Sequence, residues 1–344
     1  MNLIEDVTIV GGGPAGAYCA FNLAEQGIKP VILDNSHPRE KPCGGGIAPT
    51  VLNKFPFVEK FRSKGATFGN FNIISSVDVK VMTKGFENGF CISRKCFDQG
   101  LLEMAIQNGA KIVTEKVLDV QRKGKIWNVI TNKSIFSTKI LVGADGVNSV
   151  VRRKTVGPIS AENLGLTFGY FTSILKKDNA TIKFLAEIPG YIWVFPGKGY
   201  SNIGLGSQLK NGKMLKSLLD AFINSHFPGT KIISRYAAMI PSASNPKFFK
   251  LPCTGTNWIL IGDAAGHVDP ISGGGILYAL WGGELAAQAI ESNDLKSFDE
   301  KWKAEYGKIL EERCKNKEAF YDPLKFTFSL IIGLAKKTYF LPRT

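Results

Sequence analysis

The chain has 344 residues, 44% of them hydrophobic and 21% charged. That is enough apolar material for two modest domains or one large interleaved one, and too much for extended disorder. Its 43 Lys and Arg outnumber its 29 Asp and Glu, a formal charge of +14 that fits either a solvated lysine-rich surface or an anionic partner such as nucleic acid, lipid or a phosphorylated small molecule. The 37 glycines follow no three-residue period, which excludes collagen and points to backbone held close to a ligand or to itself. Six cysteines (19, 43, 91, 96, 253, 314) form no C-x-x-C pair, and three histidines (37, 226, 267) stand at no ligand spacing from them. No metal site is read from this pattern, and the thiols read as reduced in a cytosolic protein, since residues 1–6 show no signal-peptide pattern.

Residues 6–10 form a short β-branched run that enters Gly11-Gly12-Gly13-Pro14-Ala15-Gly16. An alanine-rich helical stretch continues to 26, and a second apolar run, 30–33, ends at Asp34. Strand, G-x-G-x-x-G and helix within about thirty residues, with an acid about twenty positions on, predict a dinucleotide-binding βαβ unit. Gly11 allows the tight turn, Gly13 admits a pyrophosphate, Gly16 lets the helix close on its strand, and Asp34 accepts ribose hydroxyls. Further on, a helix is predicted over 97–108 and strands over 111–121, 125–131 and 140–142, the last entering Gly143-Ala144-Asp145-Gly146. From 165 to 206 the pattern becomes period two, and a buried strand at 258–261 runs into Gly262-Asp263-Ala264-Ala265-Gly266 before a long apolar helix, 276–290. Dinucleotide-binding elements therefore sit at the start, middle and end of the chain, with β-rich material between them, and no internal repeat is evident.

Three patterns separate FAD from NAD. Asp145 is followed by Ser149 and Arg152, Gly262-Asp263 lies far downstream, and Arg94 opens a helix. With the N-terminal fingerprint these resemble the p-hydroxybenzoate-hydroxylase-like class of FAD proteins over essentially the whole chain. The resemblance implies an α/β fold, a Rossmann-type FAD-binding domain (1–55, 88–157 and 252–320) interleaved with a β-rich substrate domain (56–87 and 158–251), and a tail at 321–344. It also implies FAD as cofactor. Its contacts would come from Gly11, Gly13, Pro14, Ala15, Gly16, Asp34, Cys43, Gly44, Gly46, Arg94, Leu118, Asp145, Asp263, Gly274, Gly275 and Ile276. The helix start at Gly274-Gly275-Ile276 would aim N–H groups at the flavin, which carries negative charge when reduced.

Within that class, Pro42-Cys43-Gly44-Gly45-Gly46 and Tyr191-Ile192-Trp193-Val194-Phe195-Pro196, followed by Gly204-Leu205-Gly206, resemble the geranylgeranyl reductase family. That family saturates prenyl chains in archaeal lipids, chlorophyll precursors or quinones. The resemblance implies a prenylated lipid substrate, a geranylgeranylated glycerophospholipid, with NAD(P)H or ferredoxin as electron donor; with no RNA-binding module or aromatic-plus-basic stripe in the sequence, no nucleic-acid partner is expected. On a strand, Tyr191, Trp193 and Phe195 share one face, and Ile192 and Val194 the other. Taken alone this is an ordinary buried strand. Combined with Cys43-Gly44-Gly45-Gly46 it reads as an apolar wall in which Tyr191, Trp193, Phe195 and Pro196 hold an isoprenoid chain. Cys43 and Tyr191 are the candidate catalytic residues. Cys43 reads equally as a thiol proton donor and as a small residue in a tight turn. His267 and Asp269 read as loop caps. The apolar stretch 326–335 with Lys336-Lys337 is too short to span a bilayer and reads either as a core cap or as an interfacial helix giving peripheral membrane contact. The rival readings are an FAD-dependent aromatic monooxygenase of the same fold and an RNA-directed or electron-transfer flavoprotein. Gly266, where aromatic hydroxylases of this fold carry His, argues against the first.

Overall fold

A computed structural model describes residues 4–83, 88–173, 179–325 and 327. The chain forms two compact units, each built from three separated stretches. The first takes Met1–Glu40, Arg94–Leu164 and Ile240–Lys315, and the second takes Lys41–Ser93, Gly165–Met239 and Asn316–Thr344.

The first unit is organised on a seven-stranded sheet in the order Lys111–Val113, Val31–Leu33, Ile4–Val10, Ile135–Gly143, Ile126–Thr131, Val117–Lys123, with Trp258–Leu260 alongside the end of Ile135–Gly143. The first four strands and Trp258–Leu260 run parallel, and a hairpin completes the sheet antiparallel. The parallel strands are buried on both faces, which is why they read as unbroken β-branched runs: Val7, Ile9, Val10 and Val31–Leu33 are all buried. Helix Pro14–Glu25 packs on both Arg94–Gln107 and Ile276–Glu291. Pro14 sits in its first turn, where the missing N–H costs nothing. The single strand predicted over 111–121 is broken. At 114–116 the chain turns off the parallel edge, held by the Lys116 N–H on Asn132 Oδ1 (2.9 Å) and by Glu115, whose carboxylate accepts the hydroxyls of Thr131 and Ser134.

The second unit holds a seven-stranded sheet in the order Ile232–Pro241, Leu164–Thr172, Ser201–Gln208, Gly190–Pro196, Asn179–Phe184, Asn70–Ile74, Lys80–Thr83. One face is covered by helix Gly212–His226. Leu215, Leu219 and Ile223 pack there with Ile192, Val194, Ile203 and Leu205. Each such aliphatic side chain contributes about 1.5–3 kcal/mol on full burial. The other face carries Trp193 and Phe195, as the period-two pattern predicts. A small sheet of Gly46–Ile47, Phe90–Cys91 and Ala66–Thr67 completes the unit. Through it residues 41–55 fall in the second unit, whereas the sequence reading groups them with the cofactor-binding part. Most of the tail read at 321–344 lies outside the described residues. Among the described residues no helix is long and apolar enough to cross a membrane.

Candidate active site

The fingerprint turn is built on contacts that only glycine permits. Gly11 has φ +103°, and a Cβ at Gly16 would run into the Gly11 carbonyl oxygen. Gly13 differs, because a Cβ there would meet nothing within 4 Å. Open space at the N-terminus of a twelve-residue helix is what a pyrophosphate needs. Beside the turn, Asp145 accepts the Val150 N–H on Oδ2 (2.6 Å), while its buried Oδ1 has no partner within the chain. Burial raises the Asp145 carboxyl above its ordinary value, against the hydrogen bonds from Ser149 and Val150.

Asp34 ends the second strand with its acceptors already engaged. Its Oδ2 takes the Gly12 N–H (2.7 Å) and lies 3.1 Å from His37 Nδ1, while Oδ1 takes the N–H and hydroxyl of Ser36 (2.6 and 2.7 Å). Burial opposes ionisation of Asp34, but the bonds from His37, Gly12 and Ser36 outweigh it and hold the carboxyl well below the usual range. His37 Nε2 lies 3.7 Å from Asp98 Oδ2, and Arg94 grips Asp98 bidentately at 2.7 and 2.8 Å. Burial disfavours the His37 charge, yet Asp34 and Asp98 raise it to about 9. The Arg94 guanidinium is thus bound to Asp98, and its backbone N–H donates to Glu40 (2.7 Å). His37 and Asp98 were not picked out from sequence. The Arg94/Asp98 spacing of four on one helix was the available signal.

The late loop closes on the same fingerprint. Gly262 stands against Ala15, and a Cβ at Gly275 would meet Asp263 Oδ1 at 3.3 Å, so Asp263 lies against the start of the long helix. Ser149 caps helix Val150–Thr155, and Arg152 reaches across to the carbonyls of Ala264 (3.1 Å) and Ala265 (3.3 Å). Asp269 caps the turn before Gly274, accepting N–H bonds from Ile271 (2.9 Å) and Ser272 (3.1 Å) and pairing with Arg313. His267 lies wholly buried between Tyr306 (2.9 Å) and Cys253 (3.5 Å), where burial lowers it to about 3. Leu118 sits on the outer strand Val117–Lys123 and is 52% exposed.

In the second unit the loop Cys43–Gly46 rests directly on the aromatic strand. A Cβ at Gly44 would meet the Phe195 ring at 2.9 Å and Trp193 Nε1 at 3.1 Å, and one at Gly46 would meet Phe195 at 3.1 Å. Gly45 has φ +72° and abuts the Ile92 carbonyl; its own carbonyl takes the Ile92 N–H (2.9 Å). The Gly45 N–H points back at Cys43 Sγ (3.4 Å). Cys43, Tyr191 and Phe195 are half-buried, while Trp193 and Pro196 are buried. The wall is longer than the sequence motif showed. Phe184 lies opposite Tyr191 across the sheet (ring centroids 5.8 Å), and Phe320 and Tyr321 pack on Phe184 at 5.4 and 6.0 Å.

Among the described residues no group of three His, Cys, Asp or Glu could hold a metal ion. The open Gly13, the unpartnered Asp145 Oδ1 and the Asp263–Gly275 contact fit an FAD stretched along the first unit. The FAD binding domain family matches residues 5–191, and the geranylgeranyl reductase catalytic domain family matches 167–240. The digeranylgeranylglycerophospholipid reductase of Methanospirillum hungatei JF-1 is 32% identical over 349 residues, covering 92% of this chain and 85% of that one. A geranylgeranyl bacteriochlorophyll reductase-like protein from Thermoplasma acidophilum superposes with a TM-score of 0.81 at 26% identity, over 93% of this chain and 89% of that one. A flavin-dependent brominase shares the fold alone, with a TM-score of 0.77 at 19% identity over 94% and 89% of the two chains.

Fold and cradle together define an FAD-dependent oxidoreductase. The chain belongs to the geranylgeranyl reductase family, flavoenzymes that reduce the carbon–carbon double bonds of prenyl chains.

Proposed function

We propose that this enzyme saturates isolated double bonds in the geranylgeranyl chains of an anionic glycerophospholipid, with Cys43 as the proton donor. The observation that carries this reading is the seating of a thiol-bearing loop on the rings of Trp193 and Phe195, with Phe184, Phe320 and Tyr321 extending the apolar surface. Rings in a row bury a polyprenyl chain while offering its alkenes no competing hydrogen bonds.

Bound in its reduced form, FAD supplies the hydride that one alkene carbon requires. The other carbon requires a proton, and an isolated alkene accepts hydride poorly unless that proton arrives early or together with it. Cys43 meets this need. Its Sγ accepts the Gly45 N–H, so the S–H hydrogen is left for donation, and the same N–H faces the charge on sulfur once the proton has gone. Tyr191, half-buried on the wall, is the second candidate donor. Asp34, Asp145, Asp263 and the turn at Gly274-Gly275-Ile276 hold the cofactor, with Arg94 acting through Asp98 and His37 on Asp34.

The +14 charge gathers the anionic headgroup or a lipid surface, a peripheral contact whose strength falls as salt screens it. NAD(P)H or ferredoxin supplies the electrons. Anaerobic mixing of the dithionite-reduced holoenzyme with lipid vesicles tests the reading, with flavin absorbance followed in time. Reoxidation by a geranylgeranylated lipid and not by its saturated counterpart is expected. Reoxidation by neither lipid, with rapid reaction toward oxygen and a small aromatic, contradicts it and favours a monooxygenase.

A further inference from the structure

The wall face of the second sheet contains a buried amide, Asn202, among its aromatic rings. On strand Ser201–Gln208, Ile203 and Leu205 point to the helix-covered core, so Asn202, Gly204 and Gly206 line the opposite face beside Tyr191, Trp193 and Phe195. Gly204 leaves room for the Trp193 ring, which a Cβ there would run into. Asn202 is 3% exposed and directly opposite Phe195 in the sheet register. A lone amide buried on an apolar face costs stability unless its bonds are met. Here three partners meet them: Oδ1 accepts Trp193 Nε1–H (2.8 Å) and the Tyr236 hydroxyl (2.7 Å), and Nδ2 donates to the Cys43 carbonyl oxygen (3.0 Å).

The chemistry fixes which way the amide points. An indole N–H only donates and a backbone carbonyl only accepts, so the two ends of Asn202 cannot be exchanged. Aspartate, of the same size, would keep the bonds from Trp193 and Tyr236 and present a carboxylate to the Cys43 carbonyl. The requirement for asparagine therefore comes from the loop.

We infer that Asn202 is the positioning residue of the reaction: it ties the Cys43 peptide to the aromatic wall and so fixes where the thiol stands. The inference rests on the proposed role of Cys43. The loop is held at the Cys43 carbonyl by Asn202 and, further on, at the Gly45 backbone by Ile92 and by the pairing of Gly46 with Cys91. Releasing the first leaves the sulfur-bearing residue swinging from the second. Asn202→Asp keeps the bonds from Trp193 and Tyr236 and leaves Asp34, Asp145 and Asp263 in place, so substrate affinity changes little while proton delivery suffers.

The test compares Asn202→Asp, Tyr236→Phe and Cys43→Ala as holoenzymes. Two readouts are taken: steady-state kcat and KM on a geranylgeranylated glycerophospholipid, and the rate at which Cys43 is alkylated by N-ethylmaleimide, read by peptide mass spectrometry. Asn202→Asp is expected to lower kcat about 10- to 100-fold with KM changed less than about threefold, the penalty of a misplaced reacting group. It should speed Cys43 alkylation about fivefold, the factor set by losing one hydrogen bond. Tyr236→Phe, which removes a single bond at the far end of the amide, should move both readouts in the same direction by less. If Asn202→Asp leaves both readouts at wild-type values while Cys43→Ala abolishes turnover, the inference is overturned and the role of Cys43 stands. If Cys43→Ala turns over normally, the role of Cys43 fails and with it the inference, although faster alkylation in Asn202→Asp would still show that the amide holds the loop. Should Asn202→Asp fail to fold, Tyr236→Phe decides alone: unchanged kcat and alkylation overturn the inference.

Discussion

His37 Nδ1 lies 3.1 Å from Asp34 Oδ2, and the two buried groups hold each other in the charged state. The folded-state value of His37, about 9, lies above its ordinary 6.5. Its contribution to stability is therefore complete below pH 6.5 and is lost as pH rises through 9. Asp34 is depressed, so its share is present above the ordinary carboxylate range and disappears only as pH falls through its lowered value. His37→Gln should flatten the decline of holoenzyme Tm between pH 6.5 and 9 and weaken FAD binding at pH 7. Thermal melts across that range and fluorescence titration of apoprotein with FAD check both, and parallel wild-type and variant profiles would refute the pairing.

The second and third fingerprint glycines should fail differently. A methyl on Gly16 meets the Gly11 carbonyl, so Gly16→Ala should destabilise the apoprotein by about 1–3 kcal/mol, the usual cost of overpacking. A methyl on Gly13 meets nothing, so Gly13→Ala should leave the apoprotein's urea midpoint unchanged. It should still lower FAD affinity about tenfold or more by filling space a phosphate needs, ~1.4 kcal/mol.

The thiol and its loop should separate proton delivery from binding. Cys43→Ala should cut kcat about 10²-fold, the scale of a lost general acid, with flavin content unchanged. Gly45→Ala places a side chain at φ +72° against the Ile92 carbonyl and should lower both stability and turnover. Tyr191→Phe keeps the ring and removes the hydroxyl. Full activity there would leave Cys43 as the donor, and a loss matching that of Cys43→Ala would transfer the role to Tyr191.

Acid should weaken the fold through His267. Burial holds it neutral down to about pH 3 against an ordinary 6.5, so the unfolded chain binds a proton in that interval that the folded chain refuses. Its contribution is complete above pH 6.5 and lost as pH falls toward 3. Urea midpoints measured from pH 7 to 4 should fall more steeply in wild type than in His267→Gln.

The fingerprint, the late Gly-Asp loop and the facing of Tyr191, Trp193 and Phe195 were legible in the sequence because each follows from a local period or spacing. The His37–Asp98–Arg94 chain and the Asn202 hub were not. Their partners lie 61 and 159 positions apart, at separations that only the folded chain closes. Helix Gly212–His226 and strand Ile232–Pro241 carry no motif: the helix is packing against the sheet, and Tyr236 on the strand meets Asn202 only in the fold. Single-strand continuity at 111–121 failed because side-chain bonds to Asn132 and Glu115 outweigh β-propensity there.

Mass spectrometry of a geranylgeranylated glycerophospholipid tests the account most directly, after incubation with chemically reduced holoenzyme in the absence of oxygen. Stepwise gain of hydrogen pairs, in proportion to flavin oxidised, is the predicted result. An unchanged lipid beside flavin that remains reduced would contradict prenyl-lipid saturation while leaving the cofactor assignment intact.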